Sequence, residues 1–339
     1  MLGREAEMKD IAHFEQVKAQ NKRSLKNLLR ETGWSGKSQL AKASGLSFPT
    51  VSSLLNELME QGEVISEQNG ISNGGRPAVS YKLDPVFQYA ACAMLERQKL
   101  NLLIYDYDLK SVKGQEIPGF LWKEETEGAP AHLEMPLKKE ITLVQLGNIF
   151  QKITERYPML RYIAFGIPGV IQEGIITFLP IYPELEKQNV KKYLQEVTGA
   201  EMFLENDVNS IILAEKEEYP DMMHIMMKEK CIGSAILLNG ELVHGAHGGA
   251  GELGMICQES EPSVELLVYL IRIIQSILDL PVIVFSGDDV KEHRLREVRK
   301  KLKEALPKER IPEIYYKENF IELYKKGLEG MIKEQWERN

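Results

Sequence analysis

Apolar residues recur along this chain with two different periods, and the change from one to the other divides it. From about residue 15 to 32, Val17, Leu25, Leu28 and Leu29 fall on one face of a helix. Gly33-Trp34-Ser35-Gly36 interrupts it. Ser38 is placed to cap a short helix containing Leu40, Ala41 and Ala43, which ends at Gly45. Ser47 then caps a third helix with Pro49 near its start, where a missing N–H is harmless. Val51, Leu54, Leu55, Leu58 and Met59 form the buried stripe of that helix. Gly62 stops it, and the period drops to two. Glu63–Glu67 and Val79–Leu83 read as strands around a turn-rich tip, Asn69–Pro77. Three helices followed by a β-hairpin is the order of a winged helix-turn-helix. Asp84-Pro85 marks its end, giving one domain over 1–85 and a second over 86–339.

After Phe87 strand-like runs alternate with helix-like ones. The strands are Tyr89–Leu95, Leu100–Tyr105, Tyr162–Ile167, Met202–Leu204, Cys231–Leu238 and Val282–Phe285. The helices are Ile141–Tyr157, Val190–Thr198, Asp207–Glu218, Val264–Leu278, Val290–Ala305 and Phe320–Trp336. Such alternation predicts an α/β domain.

Composition narrows the class. Of 339 residues, 43% are hydrophobic and 27% charged, as in globular proteins. No apolar run reaches membrane-spanning length, and Met1–Phe14 is charged where a signal peptide would be apolar, so a cytoplasmic protein is expected. Cys92, Cys231 and Cys257 are odd in number and far apart, which argues against a disulfide framework or a Cys-x-x-Cys zinc site and for buried small side chains. Net charge is −8, yet Lys18, Lys22, Arg23, Lys26, Arg30, Lys37 and Lys42 face only Glu31 between residues 18 and 50. A local basic stretch suits phosphate contacts; it also suits a solvated helix face.

The third helix is the one that would enter a major groove with its N-terminal half. With its stripe committed to the core, it offers Ser47, Phe48, Thr50, Ser52, Ser53 and Asn56. Hydroxyls suit phosphates and bases, and Asn pairs two-fold with adenine. At the wing tip, Asn73-Gly74-Gly75-Arg76-Pro77 joins close backbone approach to an arginine suited to a narrow minor groove. Double-stranded operator DNA is the expected partner, bound by a homodimer or homotetramer, since two-fold operators match two-fold proteins.

Three ordered motifs carry a resemblance. They are Ala164-Phe165-Gly166-Ile167-Pro168-Gly169-Val170, Leu204-Glu205-Asn206-Asp207-Val208-Asn209, and the glycine-rich Gly245–Gly254 with Gly251-Glu252-Leu253-Gly254 at its end. With the Gly-Arg-Pro wing followed by Tyr-Lys-Leu, the chain resembles the repressor branch of the ROK family (repressors, open reading frames and sugar kinases). The resemblance implies a two-lobed actin/hexokinase-like fold with ligand in the cleft. It puts Asp207 at the position of the family's general base, and Asn206 and Glu252 on other sugar hydroxyls. Asp207 could equally cap the helix it begins. Glu265 stands where a further sugar-binding Glu would be counted.

The departures are as informative. The family's first phosphate loop corresponds to Met94-Leu95-Glu96-Arg97-Gln98, which lacks glycine, and its second to Glu229-Lys230-Cys231-Ile232-Gly233. Cradling phosphates needs backbone N–H groups at glycine turns, and Glu96 and Glu229 would repel them. Met255 replaces the family's zinc-binding His, Cys257 alone remains of its cysteine cluster, and Pro180-Ile181-Tyr182 lacks the sugar-binding Asn. The expectation is therefore a repressor of carbohydrate genes that senses a sugar or sugar phosphate, with no catalysis, cofactor or metal. A cleft answering to a protein partner, or a sugar kinase with an accessory domain, are the alternatives.

Overall fold

The computed structural model describes residues 2–69, 78–113, 116–126, 131–228, 231–256 and 263–338, and the side chains among them other than those of 2–14, 69 and 78. The chain packs as two units. The first comprises Met1–Ala90, Ile104–Lys113 and Lys333–Asn339, and the second Ala91–Leu103 and Gly114–Ile332.

The first unit begins with α1 (Leu2–Thr32), β1 (Ser35–Gly36), α2 (Lys37–Ser44), α3 (Phe48–Glu60), β2 (Val64–Asn69) and β3 (Ala78–Leu83). β3 lies between β1 and β2, antiparallel to both. Leu25, Leu29, Leu40, Val51, Leu54, Leu55 and Leu58 are buried together with Leu83. Met59, placed in the buried stripe by period, is exposed, as is Val17. α1 begins well before residue 15. α2 starts at Lys37, one residue ahead of the expected Ser38 cap, because the Gly36 N–H is held by the Gln39 side chain at 2.9 Å. Ser47 does cap α3, accepting from the Thr50 amide. Gly45 and Gly62 end their helices in the left-handed region that glycine adopts freely. The wing tip with Arg76 lies outside the described residues.

The second unit holds two mixed sheets. In chain order the first involves β4 (Tyr89–Glu96), β5 (Lys99–Tyr105), β6 (Leu121–Lys123) and β7 (His132–Pro136), followed by α4 (Leu143–Arg156) and β8 (Leu160–Ile167). A small hairpin, β9 (Val170–Gln172) and β10 (Ile175–Phe178), precedes α5 (Val190–Thr198) and β11 (Glu201–Asn206). The sheet order is β11-β8-β4-β5-β7-β6, with β11 parallel to β8. Then come α6 (Asp207–Leu213), β12 (Met222–Lys228), β13 (Cys231–Leu238), β14 (Glu241–Leu242), α7 (Val264–Ile277), β15 (Val282–Ser286), α8 (Glu292–Ala305), β16 (Glu313–Lys317) and α9 (Phe320–Arg338). The second sheet runs β14-β13-β12-β15-β16.

Alternation along β12 explains its two faces. Met223, Ile225 and Met227 pack with α7 and α8, while Met222 packs with Val208 and Ile212 of α6. His224, on the α6 side, is fully buried between Glu215 at 3.3 Å and Ser286 at 2.8 Å, so its polar atoms are met. Cys92 is buried as expected, but Cys231 is exposed at the start of β13.

Candidate functional site

The N-terminal half of α3 presents Ser47, Phe48 and Ser53 to solvent, with Asn56 one turn on and Thr50 and Ser52 half-buried. Phe48 is 52% exposed, leaving its ring at the surface beside these polar side chains. The Ser47 and Thr50 hydroxyls lie 2.8 Å apart, and Ser52 Oγ accepts from Lys37 Nζ at 2.7 Å. Ser47 and Thr50 thus form a hydroxyl pair at the helix start, and Lys37 is drawn onto Ser52.

The basic stretch behind that surface is largely committed elsewhere. Lys18 and Lys22 both pair with Glu57, at 2.9 and 2.5 Å. Lys26 is buried and pairs with Glu63, which also accepts from the Tyr107 hydroxyl at 2.6 Å. Arg30 lies 5.8 Å from both the Tyr107 and Trp336 ring centroids, and burial holds its guanidinium below its ordinary range. Sequence counting saw the basic residues but not their distant acceptors.

A second cluster forms where β8, β11, α6 and the glycine-rich segment meet. Asn206, and not Asp207, caps α6: its Oδ1 accepts from the Val208 and Asn209 amides at 2.8 and 3.1 Å. Its Nδ2 donates to the Gly169 carbonyl at 3.0 Å, tying the Gly-Ile-Pro-Gly turn to the helix start. Asn206 thus builds the site, with one amide hydrogen left over. Among the described residues Asp207, in the first turn, accepts only from the Val208 amide at 2.9 Å. Burial pushes its carboxyl up to about 7; Glu252 and Glu96 add to the rise, and the Val208 amide and Lys228 oppose it.

The glycine-rich segment is threaded tightly. A Cβ on Gly248 would come within 2.1 Å of the Ile171 carbonyl, and one on Gly251 within 3.0 Å of the Ser234 carbonyl, both at positive φ. That path delivers Glu252 half-buried, its carboxyl raised by burial, with no hydrogen bond to it among the described residues. Ahead of it, His244 Nε2 meets Glu205 Oε2 at 3.0 Å, which raises the imidazole above its usual range. Glu205 also accepts from Asn209 Nδ2 at 2.8 Å. Glu205 was legible only as a motif letter; its pairing with His244 was not.

The stretch Met94–Gln98 makes no loop. β4 runs to Glu96, Gln98 turns with φ 62°, and β5 starts at Lys99. Glu96 accepts from Asn101 Nδ2 at 2.6 Å and from Lys228 Nζ, at the end of β12, at 2.9 Å. Lys228 was missed because β12 is methionine-rich and carries little strand signature. Its ammonium also sits 5.0 Å from the Phe320 ring centroid. Glu265 is not brought to this group: it is exposed on α7 and pairs with Lys301 of α8. Glu229 and Cys257 lie outside the described residues. Among the described residues no three His, Cys, Asp or Glu side chains are arranged to hold a metal, and no helix is long and apolar enough to cross a membrane.

Residues 134–264 match the ROK family. The chain is 26% identical to the xylose repressor of Staphylococcus xylosus over 245 residues, 70% of this chain and 60% of that protein. It is 24% identical to the DNA-binding transcriptional dual regulator NagC of Escherichia coli over 258 residues, 73% of this chain and 59% of NagC. The chain thus spans about 60% of the length of these curated relatives. In structure it is similar to a ROK family transcriptional regulator homologous to the E. coli MLC protein, with a TM-score of 0.59 and 16% identity over 95% of this chain and all of that one. It is also similar to the ROK hexokinase of Thermus thermophilus, with a TM-score of 0.50 and 15% identity over 71% of this chain and 96% of that one.

Proposed function

From a chain that carries a ROK-family domain, folded as the mixed α/β hexokinase-like proteins are, we propose a DNA-binding transcriptional repressor of carbohydrate genes. Its DNA-binding domain is a winged helix-turn-helix within 1–85, and its cleft at Asp207 binds a sugar or sugar derivative without transferring phosphate to it. The names of the relatives, xylose repressor and NagC, support the regulatory half of this reading.

The observation that carries it is the pair Glu96–Lys228 beside Asp207. A phosphoryl transferase needs N–H donors and cations turned toward the phosphates. Here the hairpin after β4 turns a carboxylate inward, and the nearby lysine is neutralised by it. What remains at Asp207 and Glu252 is a set of carboxylate acceptors suited to vicinal hydroxyls. On the DNA side, Ser47, Phe48, Thr50, Ser52, Ser53 and Asn56 of α3 supply the reading surface, with Arg76 from the wing.

Two measurements test it. Footprinting of genomic fragments with the full chain should show protection of a defined sequence; no protection above bulk DNA at low salt sinks the regulator. A coupled assay should show no ATP-dependent phosphorylation of hexoses; turnover abolished by Asp207→Asn would make the chain a kinase.

A further inference from the structure

We propose that the Tyr324 hydroxyl is a ligand-binding donor of the Asp207 cleft. The proposal rests on the reading of the cleft as a sugar site.

Tyr324 is 5% exposed, and its hydroxyl has no hydrogen-bond partner among the described residues. Its place is defined by Gly166 of β8: a Cβ there would lie 2.1 Å from the hydroxyl oxygen. Only glycine lets the phenol reach this point. Gly166 pairs in register with Glu205, one residue from Asn206. Burial raises the phenol well above its ordinary range, and the charges of Asp207 and Glu96 add to the rise. The group is therefore a neutral O–H donor throughout the physiological range.

A buried hydroxyl with nothing to bond is unfavourable, and phenylalanine would fill the same volume without that penalty. The chemistry of the cleft says what the hydroxyl is for. Asp207 and Glu252 supply acceptors, while the donors nearby are already engaged in part: Lys228 with Glu96, and Asn206 with Gly169. A sugar hydroxyl both donates and accepts. When it donates to Asp207 its lone pairs are left to be met, and Tyr324 is a donor with no other partner among the described residues.

α9 holds that hydroxyl in place. The Phe320 ring, one helical turn before Tyr324, has its centroid 5.0 Å from the Lys228 ammonium. Gly327 lies so close to α6, the helix that Asp207 begins, that a Cβ would come within 1.6 Å of the Ser210 carbonyl. With backbone against backbone, no side chain can absorb a shift between the two helices.

The test uses the full chain and a panel of D-xylose, D-glucose, N-acetyl-D-glucosamine and their phosphates. At least one sugar should raise the parent's melting temperature. Tyr324→Phe without sugar should melt at or above the parent, yet bind that sugar at least tenfold more weakly. Tyr324→Phe melting below the parent, or binding the sugar as the parent does, overturns the donor role alone. No hit on the parent overturns the sugar reading, and this proposal with it.

Discussion

Asp207 is a buried acid whose charge the fold disfavours, and its titration gives a sign that can be checked. In the unfolded chain it loses its proton near pH 4; in the folded protein it holds it to about 7. Between those values the native state binds more protons, so stability falls as pH rises through that window. The groups acting on it are the Val208 amide at the start of α6, Lys228 on β12, Glu252 after the glycine-rich segment and Glu96 on β4. Asn at 207 cannot titrate. Asp207→Asn should therefore match the parent below about pH 4, gain on it from there to about pH 7, and exceed it at pH 8 by about 2 kcal/mol, less than complete burial would give because the side chain is only half-buried. Urea unfolding at several pH values reads this; parallel curves for the two proteins would mean that Asp207 is ionised at an ordinary pH. Asn206, whose side chain caps α6 and holds Gly169, should show no such slope when changed to Ser, only a loss of about 1 kcal/mol.

At the scale of elements, α9 contains two glycines that its helical period does not distinguish. Gly327 abuts the Ser210 carbonyl of α6, whereas a Cβ on Gly330 would meet nothing within 4 Å. Gly330→Ala should stabilise by about 0.5–1 kcal/mol, the ordinary gain for a helix interior. Gly327→Ala should destabilise by about 2 kcal/mol or more, since two backbones must part. Equal effects in thermal melts would dissolve the close crossing. The contrast also shows what was legible in the sequence. Val190–Thr198 and Cys231–Leu238 emerged at their observed bounds because their apolar period and flanking turns are local signals. β12 did not, since Met222-Met223-His224-Ile225-Met226-Met227 is strand by virtue of its neighbours in the sheet. The ordered motifs pointed to Asn206, Asp207 and Glu252. Lys228, Tyr324 and the Glu205–His244 pair are joined to them only by the fold, from residues far apart in number. Glu265 was counted across a shortened segment, and the count led to an exposed helix start.

For the whole molecule the question is how a chain of net charge −8 would approach a polyanion if it binds DNA as proposed. Each phosphate neutralised on double-stranded DNA releases counterions and adds about 0.9 to the slope of log affinity against log salt. Counting the seven basic residues between Lys18 and Lys42 would predict a steep slope. The structure reduces that count. Lys18 and Lys22 share the single carboxylate of Glu57, Lys26 is matched by Glu63, and Arg30 is enclosed by two aromatic rings. An ammonium held on a carboxylate, as Lys22 is at 2.5 Å, is not free to sit on a phosphate, so it releases nothing. Lys42, in the last turn of α2, is exposed, and Lys37 sits at the edge of the α3 surface on Ser52. If α3 enters the groove, these two lie on the helix that precedes it and near its own hydroxyl face. Lys42→Ala should lower the salt slope by about 1 per protomer bound, and Lys22→Ala should leave it unchanged. Titrations on the footprinted fragment from 50 to 200 mM salt separate the two. Equal losses from both variants would mean that the Glu57 pairs open when DNA arrives, and that α1 itself lies on the phosphates.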